Sequence, residues 1–397
     1  MSGLIYTTSL NDFTRKYLVT GNGLHGLTQR GFEIELNAVL GEISEQLLYY
    51  KGISFYVYGE NIPLAMLIRV FGVRGLESLF EQEAVEFVFN TPAVMYSVDD
   101  VKGMMPLVSS AGFTTKAHSD PEESATLGLK WLSNPLHKRV EKNIIKKAIK
   151  VYKTPSEGIS KSAASFGIDG YNNNLFGKMG LPKERDISDL NRAEREKLCS
   201  FAQECVTLSI LSEFNYNSLN SFHTAKLIDI QLELLKKADK IKEATNSLFE
   251  LENVPNFKAM VRDKVIKYED IPKMRKSRDA MKFRNWVDSV SCKTDSTEIV
   301  SEYLNSIEST KGILEKEPVK LLKTISICAV SGVIGGLISG SGGAIIGGVA
   351  GKALEPAVNL GISVFDGYIL NGLLKGWNPR HYFTKEIKPL LKAQQGT

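Results

Sequence analysis

The chain has 397 residues, of which 43% are hydrophobic and 24% are charged. These values are typical of a globular protein and exclude a disordered or fibrous chain, and the length predicts two or three domains. The formal net charge of +4 does not by itself indicate a polyanionic partner, so the positions of the charges matter more than their sum.

The cysteines are spread along the chain without any CxxC spacing: Cys199, Cys205, Cys292 and Cys328. This pattern favours a reduced protein with neither a disulfide framework nor a zinc site. The first residues contain no basic stretch followed by an apolar core, so we expect no signal peptide and a cytoplasmic location.

The N-terminal part is predicted to form a small α/β domain. Residues 34–48 place apolar side chains along one helical stripe, which indicates a helix. Residues 53–59 and 85–90 are rich in β-branched and aromatic side chains, which is typical of strands. The segment between these strands predicts one or two helices, broken at Gly72–Gly75.

The rest of the chain is predicted to be helical, with a helix beginning near Asp120 and Pro121 and long helices at about 187–214 and 221–250. Further helices are expected at about 271–290 and 297–316. The expected fold class is therefore α+β: mainly α, with a small α/β N-terminal part and a C-terminal glycine-rich helical hairpin. The predicted divisions are 1–115 for the α/β domain, 116–186 for a helical segment with a Gly/Asn-rich loop, 187–318 for a helical bundle, and 319–397 for the hairpin with a basic, aromatic tail.

An uncharged run of 28 residues lies between Lys323 and Lys352 and is interrupted by the sequence SGSGG at 339–343. Glycine recurs at every fourth position on either side: Gly332, Gly336 and Gly340, then Gly343, Gly347 and Gly351. On helices, each row would form a smooth face that another backbone can approach closely. The run over 324–351 therefore predicts a tightly packed helical hairpin, placed either in lipid or in the core of the protein.

Two features bear on a membrane role for this hairpin. Basic residues flank it on both sides, and Trp377, Tyr382 and Phe383 follow it, where aromatic residues at a membrane interface are expected. As a helix, the first leg at 324–339 is about 24 Å long, shorter than a hydrocarbon core of roughly 30 Å. The charge at Lys352 interrupts the second leg, so a re-entrant or triggered insertion fits better than a permanent anchor.

Two basic segments are candidate contacts for an anionic partner. Residues 136–153 predict an amphipathic helix with a lysine face, and residues 258–284 hold ten basic residues against four acidic ones. The residues selected as anion contacts are Lys142, Lys146, Lys150, Arg275, Arg278 and Arg284. Such side chains can contact lipid or nucleic-acid phosphates. In the alternative interpretation the lysines form a solvated helix face, and the arginines pair with the acidic patch of Glu77, Glu81, Glu83 and Glu86.

The sequence holds no complete catalytic motif. GNGLHG at 21–26 matches GxGxxG but lacks a preceding strand and a following crossover helix, so a glycine turn is the simpler interpretation. GGVAGKA at 347–353 lacks the first glycine and the final hydroxyl of a P-loop. The polar cluster from His118 to Glu123 is explained by a helix start. We therefore predict no cofactor and no metal, and favour a role that is not enzymatic.

A glycine-zipper segment at about 320–377 beside a soluble body resembles the design of prokaryotic abortive-infection and toxin-type effectors. The resemblance is one of arrangement, not of family motif, and it implies no catalytic residue. It implies a membrane-acting effector, with a role in antiviral defence, in which a trigger releases the hairpin to insert or oligomerise through its glycine rows. The implied partners are a membrane and further copies of the chain or another protein, at a cytoplasmic or inner-membrane location.

A second hypothesis comes from another class of protein. The chain would be a soluble interaction or nucleic-acid-sensing protein, with 136–153 and 258–284 as its contact surface and the hairpin packed in its core.

Overall fold

The computed structural model describes residues 4–19, 29–89, 115–156, 189–214, 216–218, 245–255, 257–290, 322–331 and 382–387, together with single positions between 157 and 188 and residue 389. Within this part the protein is mainly helical, with a small parallel sheet near the N-terminus. The mainly helical class with an α/β N-terminal part, predicted from the sequence, is confirmed at this level.

A parallel sheet forms the centre of the N-terminal part. In chain order its strands are β1 Leu4–Thr7, β2 Gly52–Val57, β3 Val85–Phe89, β4 Tyr152–Lys153 and β5 Asn217–Ser218. Their spatial order is β4-β3-β2-β1-β5, and every neighbouring pair is parallel. The chain therefore adds three strands on one side of β1 and later returns to place β5 on the other side.

Helices connect the strands and continue after them. Their bounds are α1 Ser9–Thr14, α2 Gln29–Tyr49, α3 Ile62–Glu81, α4 Pro121–Leu129, α5 Lys138–Ile149, α6 Arg192–Phe214, α7 Phe257–Arg262, α8 Ile271–Lys276 and α9 Arg278–Val290. Short 3₁₀ turns lie at Lys116–His118 and Tyr268–Asp270, and π-helical turns lie at Arg15–Val19 and Phe383–Ile387.

The hydrophobic core lies on one face of the sheet. Because side chains alternate along a strand, Ile5, Ile53 and Phe87 face the same layer, where α2 and α3 pack on them. Helices α7 and α9 add the fully buried rings of Phe257 and Phe283 to this cluster. Residues from the second half of the chain therefore complete the core of the N-terminal sheet.

Several elements predicted from the sequence are confirmed. The helix expected at 34–48 lies within α2, and the two expected strands correspond to β2 and β3. The interruption expected near Gly72 is a kink inside α3, where Gly72 has a φ of 71° that a residue with a Cβ rarely adopts. The sequence did not predict β1, β4 or β5, which are only two to four residues long.

The helix start near residue 120 is also confirmed. The Asp120 carboxylate accepts hydrogen bonds from the backbone N–H groups of Glu122 and Glu123, and Pro121 occupies the first helical position. This geometry satisfies N–H groups that have no partner inside a helix. The polar cluster beginning at His118 therefore has a structural explanation.

The prediction of helix was wrong in two segments. Leu322–Ser331, the start of the expected helical hairpin, is a strand, β7, and it pairs antiparallel with a second strand, β6 Thr245–Pro255. The sequence TISICAV in β7 is rich in β-branched residues and has no glycine, a composition that favours a strand. Backbone pairing with a partner 67 or more residues away cannot be read from local spacing.

Other sequence predictions lie outside the described residues. They are the six zipper glycines from Gly332 to Gly351, Trp377, the motifs at 21–26 and 347–353, and the helices expected at 221–244 and 297–316. Tyr382, which was expected at a membrane interface, is fully buried instead, because its ring stacks on Phe283 with 4.7 Å between the centroids. In the described ranges, no helix combines the length and the apolar character needed to cross a membrane.

Gly128 provides a test of the packing between α4 and the start of α3. A Cβ at Gly128 would lie 2.1 Å from the backbone carbonyl oxygen of Asn61, which cannot move like a side chain. We expect Gly128→Ala to lower the free energy of unfolding by about 3 kcal/mol, measured by urea denaturation. Gly41→Ala is the matched control, because the nearest atom to its Cβ would be Lys258 Cγ at 3.0 Å, with backbone atoms no closer than 3.6 Å, and alanine favours helix. Equal effects of the two substitutions would contradict this packing.

Candidate anion-binding site

A pocket of about 860 Å³ lies at the amino ends of strands β1 to β4, beside α8, which packs on α2 and α3, and α9, which packs on α2. Its basic lining residues are Lys51, Lys150, Lys153, Arg275, Lys276 and Arg284. Its acidic lining residues are Glu83 and Glu86. Six basic groups against two acidic ones make the pocket electropositive at neutral pH.

Arg275 is the most deeply placed of these basic groups. Only 2% of its surface is exposed, because Ile271 and Pro272 anchor α8 in the core and carry Arg275 inward with them. Its Nη1 donates to the carbonyl oxygen of Tyr50 at 3.1 Å, and its Nη2 donates to that of Lys51 at 2.6 Å. Its Nε is buried without a hydrogen-bond partner in the described part of the chain.

Arg284 lies beside Arg275 and is 7% exposed. Its Nη2 donates to the carbonyl oxygen of Arg275 at 2.7 Å, while its Nη1 is buried and has no hydrogen-bond partner among the described residues. Burial lowers the pKa of Arg284 to about 10, so it remains charged at neutral pH. Burial, followed by the neighbouring charge of Arg284, also lowers the pKa of Arg275 well below its usual value.

Among the described residues, the two guanidinium groups lack an acidic partner. Within the described ranges, neither Arg275 nor Arg284 forms an ion pair with a carboxylate. A buried charge without a counter-charge costs several kcal/mol, and two like charges side by side add to this cost. An anion placed beside both groups would reduce this cost, because it supplies the missing counter-charge.

The acidic patch does not neutralise these arginines. Lys147 approaches Glu77 at 3.0 Å, and Lys276 approaches Glu81 at 3.9 Å. The pairing of the patch with Arg275 and Arg284, which the alternative interpretation of the sequence expected, is therefore absent from the described part of the structure.

The structure divides the six sequence-selected anion contacts into two groups. Lys150 of the first basic segment and Arg275 and Arg284 of the second meet in the pocket. Lys142, Lys146 and Arg278 are exposed and do not line it. In α5, Ile144 and Ala148 are buried in the core, which leaves the lysines of that helix on its outer face.

Glu86 is a pocket residue that the sequence analysis assigned only to the acidic patch. It lies within β3, and the Tyr216 hydroxyl donates a hydrogen bond to its carboxylate. Burial raises the pKa of Glu86, although the Tyr216 hydrogen bond and the charge of Lys153 act in the opposite direction. A single acidic residue inside the apolar strand VEFVF was the signal that could have identified it.

The opposite edge of the sheet, where open parallel sheets usually bind ligands, is occupied by a structural network. Asn61 Nδ2 donates to the Tyr152 hydroxyl at 2.7 Å, and that hydroxyl donates to Ser124 Oγ at 3.1 Å. Arg15 Nη1 donates to the carbonyl oxygen of Tyr58 at 2.8 Å. These described side chains therefore already have hydrogen-bond partners within the protein. No group of three or more His, Cys, Asp or Glu residues in the described ranges is placed to hold a metal ion.

Comparison of the chain with protein-family models, with characterised proteins and with solved structures finds no match.

The raised pKa of Glu86 makes a testable statement about stability. The pKa of a glutamate carboxyl is about 4.3 in the unfolded state, and the pKa of Glu86 is higher than this in the folded state. Such a group favours folding at low pH. This contribution to stability is lost as the pH rises through the folded-state pKa. We expect Glu86→Gln to raise the free energy of unfolding at pH 7, and to raise it less at pH 4, as measured by urea denaturation. Glu83→Gln, at an exposed position of the same pocket, is the control. A gain of the same size at both pH values would contradict the burial of an ionised Glu86.

Proposed function

We propose that the protein binds an anionic, phosphate-bearing ligand in the pocket formed by the amino ends of β1 to β4 and by α8 and α9. The observation that carries this proposal is the pair Arg275 and Arg284. Both are buried, both line the pocket, and neither has a carboxylate partner among the described residues.

The chemistry of the pair supports an oxyanion as the ligand. Guanidinium groups present planar sets of N–H donors that match the oxygen atoms of phosphate or carboxylate groups. Backbone carbonyl oxygens at Tyr50, Lys51 and Arg275 hold three of the terminal nitrogens in place, so little side-chain freedom would be lost on binding. The lysines around the pair would attract a multiply charged group more strongly than a single carboxylate.

The second hypothesis from the sequence, an interaction or nucleic-acid-sensing protein, used the two basic segments as its contact surface, and the present proposal keeps these segments as the anion-binding part. The two basic segments contribute to a common site, but the site is a pocket instead of an extended surface. Its volume lies within the range of roughly 300–1,000 Å³ that is typical of small-molecule sites.

Inorganic phosphate and pyrophosphate are the probes for this proposal. At constant ionic strength, a ligand present at about 100 times its Kd should raise the free energy of unfolding by about 2.7 kcal/mol over a chloride control. We expect Arg284→Met to weaken phosphate binding at least tenfold in calorimetric titration, and the exposed Lys150→Met to weaken it several-fold without affecting folding.

Arg69→Met is the matched control, because Arg69 is exposed on α3 away from the pocket. Unchanged phosphate affinity in both Arg284→Met and Lys150→Met would contradict the proposal. An equal loss in Arg278→Met would indicate a diffuse basic surface and would contradict it as well.

We also propose, from the sequence, a membrane-acting role for the glycine-rich segment after Ser331, in the manner of the effectors that its arrangement resembles. The uncharged run and its glycine rows favour this role. With β7 extending to Ser331, the first leg keeps only seven residues before the SGSGG sequence, which as a helix would be about 10 Å long. Insertion or self-association of this segment is therefore a better proposal than a helical hairpin that spans the bilayer.

Glycine substitutions test this second role. We expect Gly336→Leu and Gly347→Leu to reduce leakage of anionic lipid vesicles at least fivefold, because leucine blocks the close approach of two backbones. Gly335→Leu and Gly348→Leu are matched controls, since they change neighbouring glycines that lie outside the every-fourth-residue rows. No leakage by the unaltered protein, or equal leakage by all four variants, would show that the glycine rows have no role at the membrane.

A further inference from the structure

A polar row crosses the sheet on the face opposite the hydrophobic core. In the strand register Tyr6 pairs with Ser54, and Ser54 pairs with Glu86, so these three residues lie side by side on β1, β2 and β3. Their strand neighbours Ile5 and Val85 face the core. Parallel sheets are normally apolar on both faces. A row that carries two hydroxyl groups, on Tyr6 and Ser54, and the carboxyl group of Glu86 is therefore unusual.

This row keeps unused hydrogen-bonding capacity. Tyr6 is 4% exposed, and its hydroxyl has no hydrogen-bond partner within the described ranges. The ring of Tyr216 stacks on that of Tyr6 with 6.2 Å between centroids, and the Tyr216 hydroxyl donates to Glu86. A carboxylate can accept about four hydrogen bonds, so Glu86 retains acceptor sites beyond the one that Tyr216 uses.

Glu86 joins the polar row to the pocket that holds Arg275 and Arg284. The pocket therefore has two walls of different chemistry. The helical wall offers positive charge and N–H donors, and the sheet wall offers a carboxylate that accepts hydrogen bonds, with a buried hydroxyl two strands away. A polyanion that filled the pocket would bring phosphates close to Glu86 and be repelled by it.

We propose that the ligand is a small phosphorylated polyol, such as a sugar phosphate, with its phosphate group on Arg275 and Arg284 and its hydroxyl groups donating to Glu86. This inference rests on the proposed function of the pocket as an anion site. In addition, Glu86 on the sheet wall would select the hydroxyl-bearing, uncharged end of the ligand. Nucleic acid would then not be the natural ligand of the pocket.

Calorimetric titration with four probes tests the inference: inorganic phosphate, ribose 5-phosphate, free ribose and a single-stranded RNA oligonucleotide. We expect ribose 5-phosphate to bind at least tenfold more tightly than inorganic phosphate, and free ribose to show no binding at millimolar concentration. Glu86→Gln should reduce the preference for ribose 5-phosphate over inorganic phosphate about fivefold. Tyr6→Phe, which removes a buried hydroxyl that does not line the pocket and keeps the ring, should leave this preference unchanged.

Glu83→Gln is the matched control, because it removes a negative charge from the same pocket without changing the polar row. It should change the affinity for both phosphate compounds by the same factor. Equal affinity for inorganic phosphate and ribose 5-phosphate, or tighter binding of RNA than of ribose 5-phosphate, would overturn the inference and leave the anion site standing. Absence of binding by all phosphate-bearing probes would overturn both proposals.

Discussion

The guanidinium group of Arg275 connects parts of the protein that are more than 220 residues apart in the chain. This group donates to the carbonyl oxygens of Tyr50 and Lys51, at the point where α2 ends and β2 begins. The backbone carbonyl oxygen of Arg275 accepts a hydrogen bond from Arg284. Helices α8 and α9 are held in this way against the amino edge of the sheet. The closing of the core by Phe283 and the shape of the pocket both depend on this placement.

Such a connection could be made at lower cost by a neutral side chain. Backbone carbonyl oxygens accept the hydrogen bonds of Arg275 but do not neutralise its charge. The second arginine, Arg284, is 7% exposed, and the repulsion between the two positive charges adds to the free-energy cost of burying them. The nearby acids pair with lysines instead. The cost is offset if an anion binds in the pocket, because the same interactions that destabilise the empty pair then favour the complex.

The two faces of the sheet differ in chemistry, and this difference bears on the kind of ligand that the pocket would bind. One face carries isoleucine, valine and phenylalanine against α2 and α3, whereas the other carries the row of Tyr6, Ser54 and Glu86. Burial of hydroxyl and carboxyl groups costs stability unless they form hydrogen bonds. Glu86 belongs both to this row and to the pocket, so it connects the two features.

The sequence alone determined the elements whose signals are local. Periodic apolar spacing located α2, the strands β2 and β3 followed from their composition, and the cap at Asp120 followed from residues adjacent to it. Short strands such as β4 carry too few residues for a pattern, and β7 was mistaken for helix because its partner β6 is remote. The sequence also identified Lys150, Arg275 and Arg284 as basic, but not that they share a pocket or lack acidic partners. Only the tertiary structure decided this, since pairing, burial and proximity depend on which distant segments pack together.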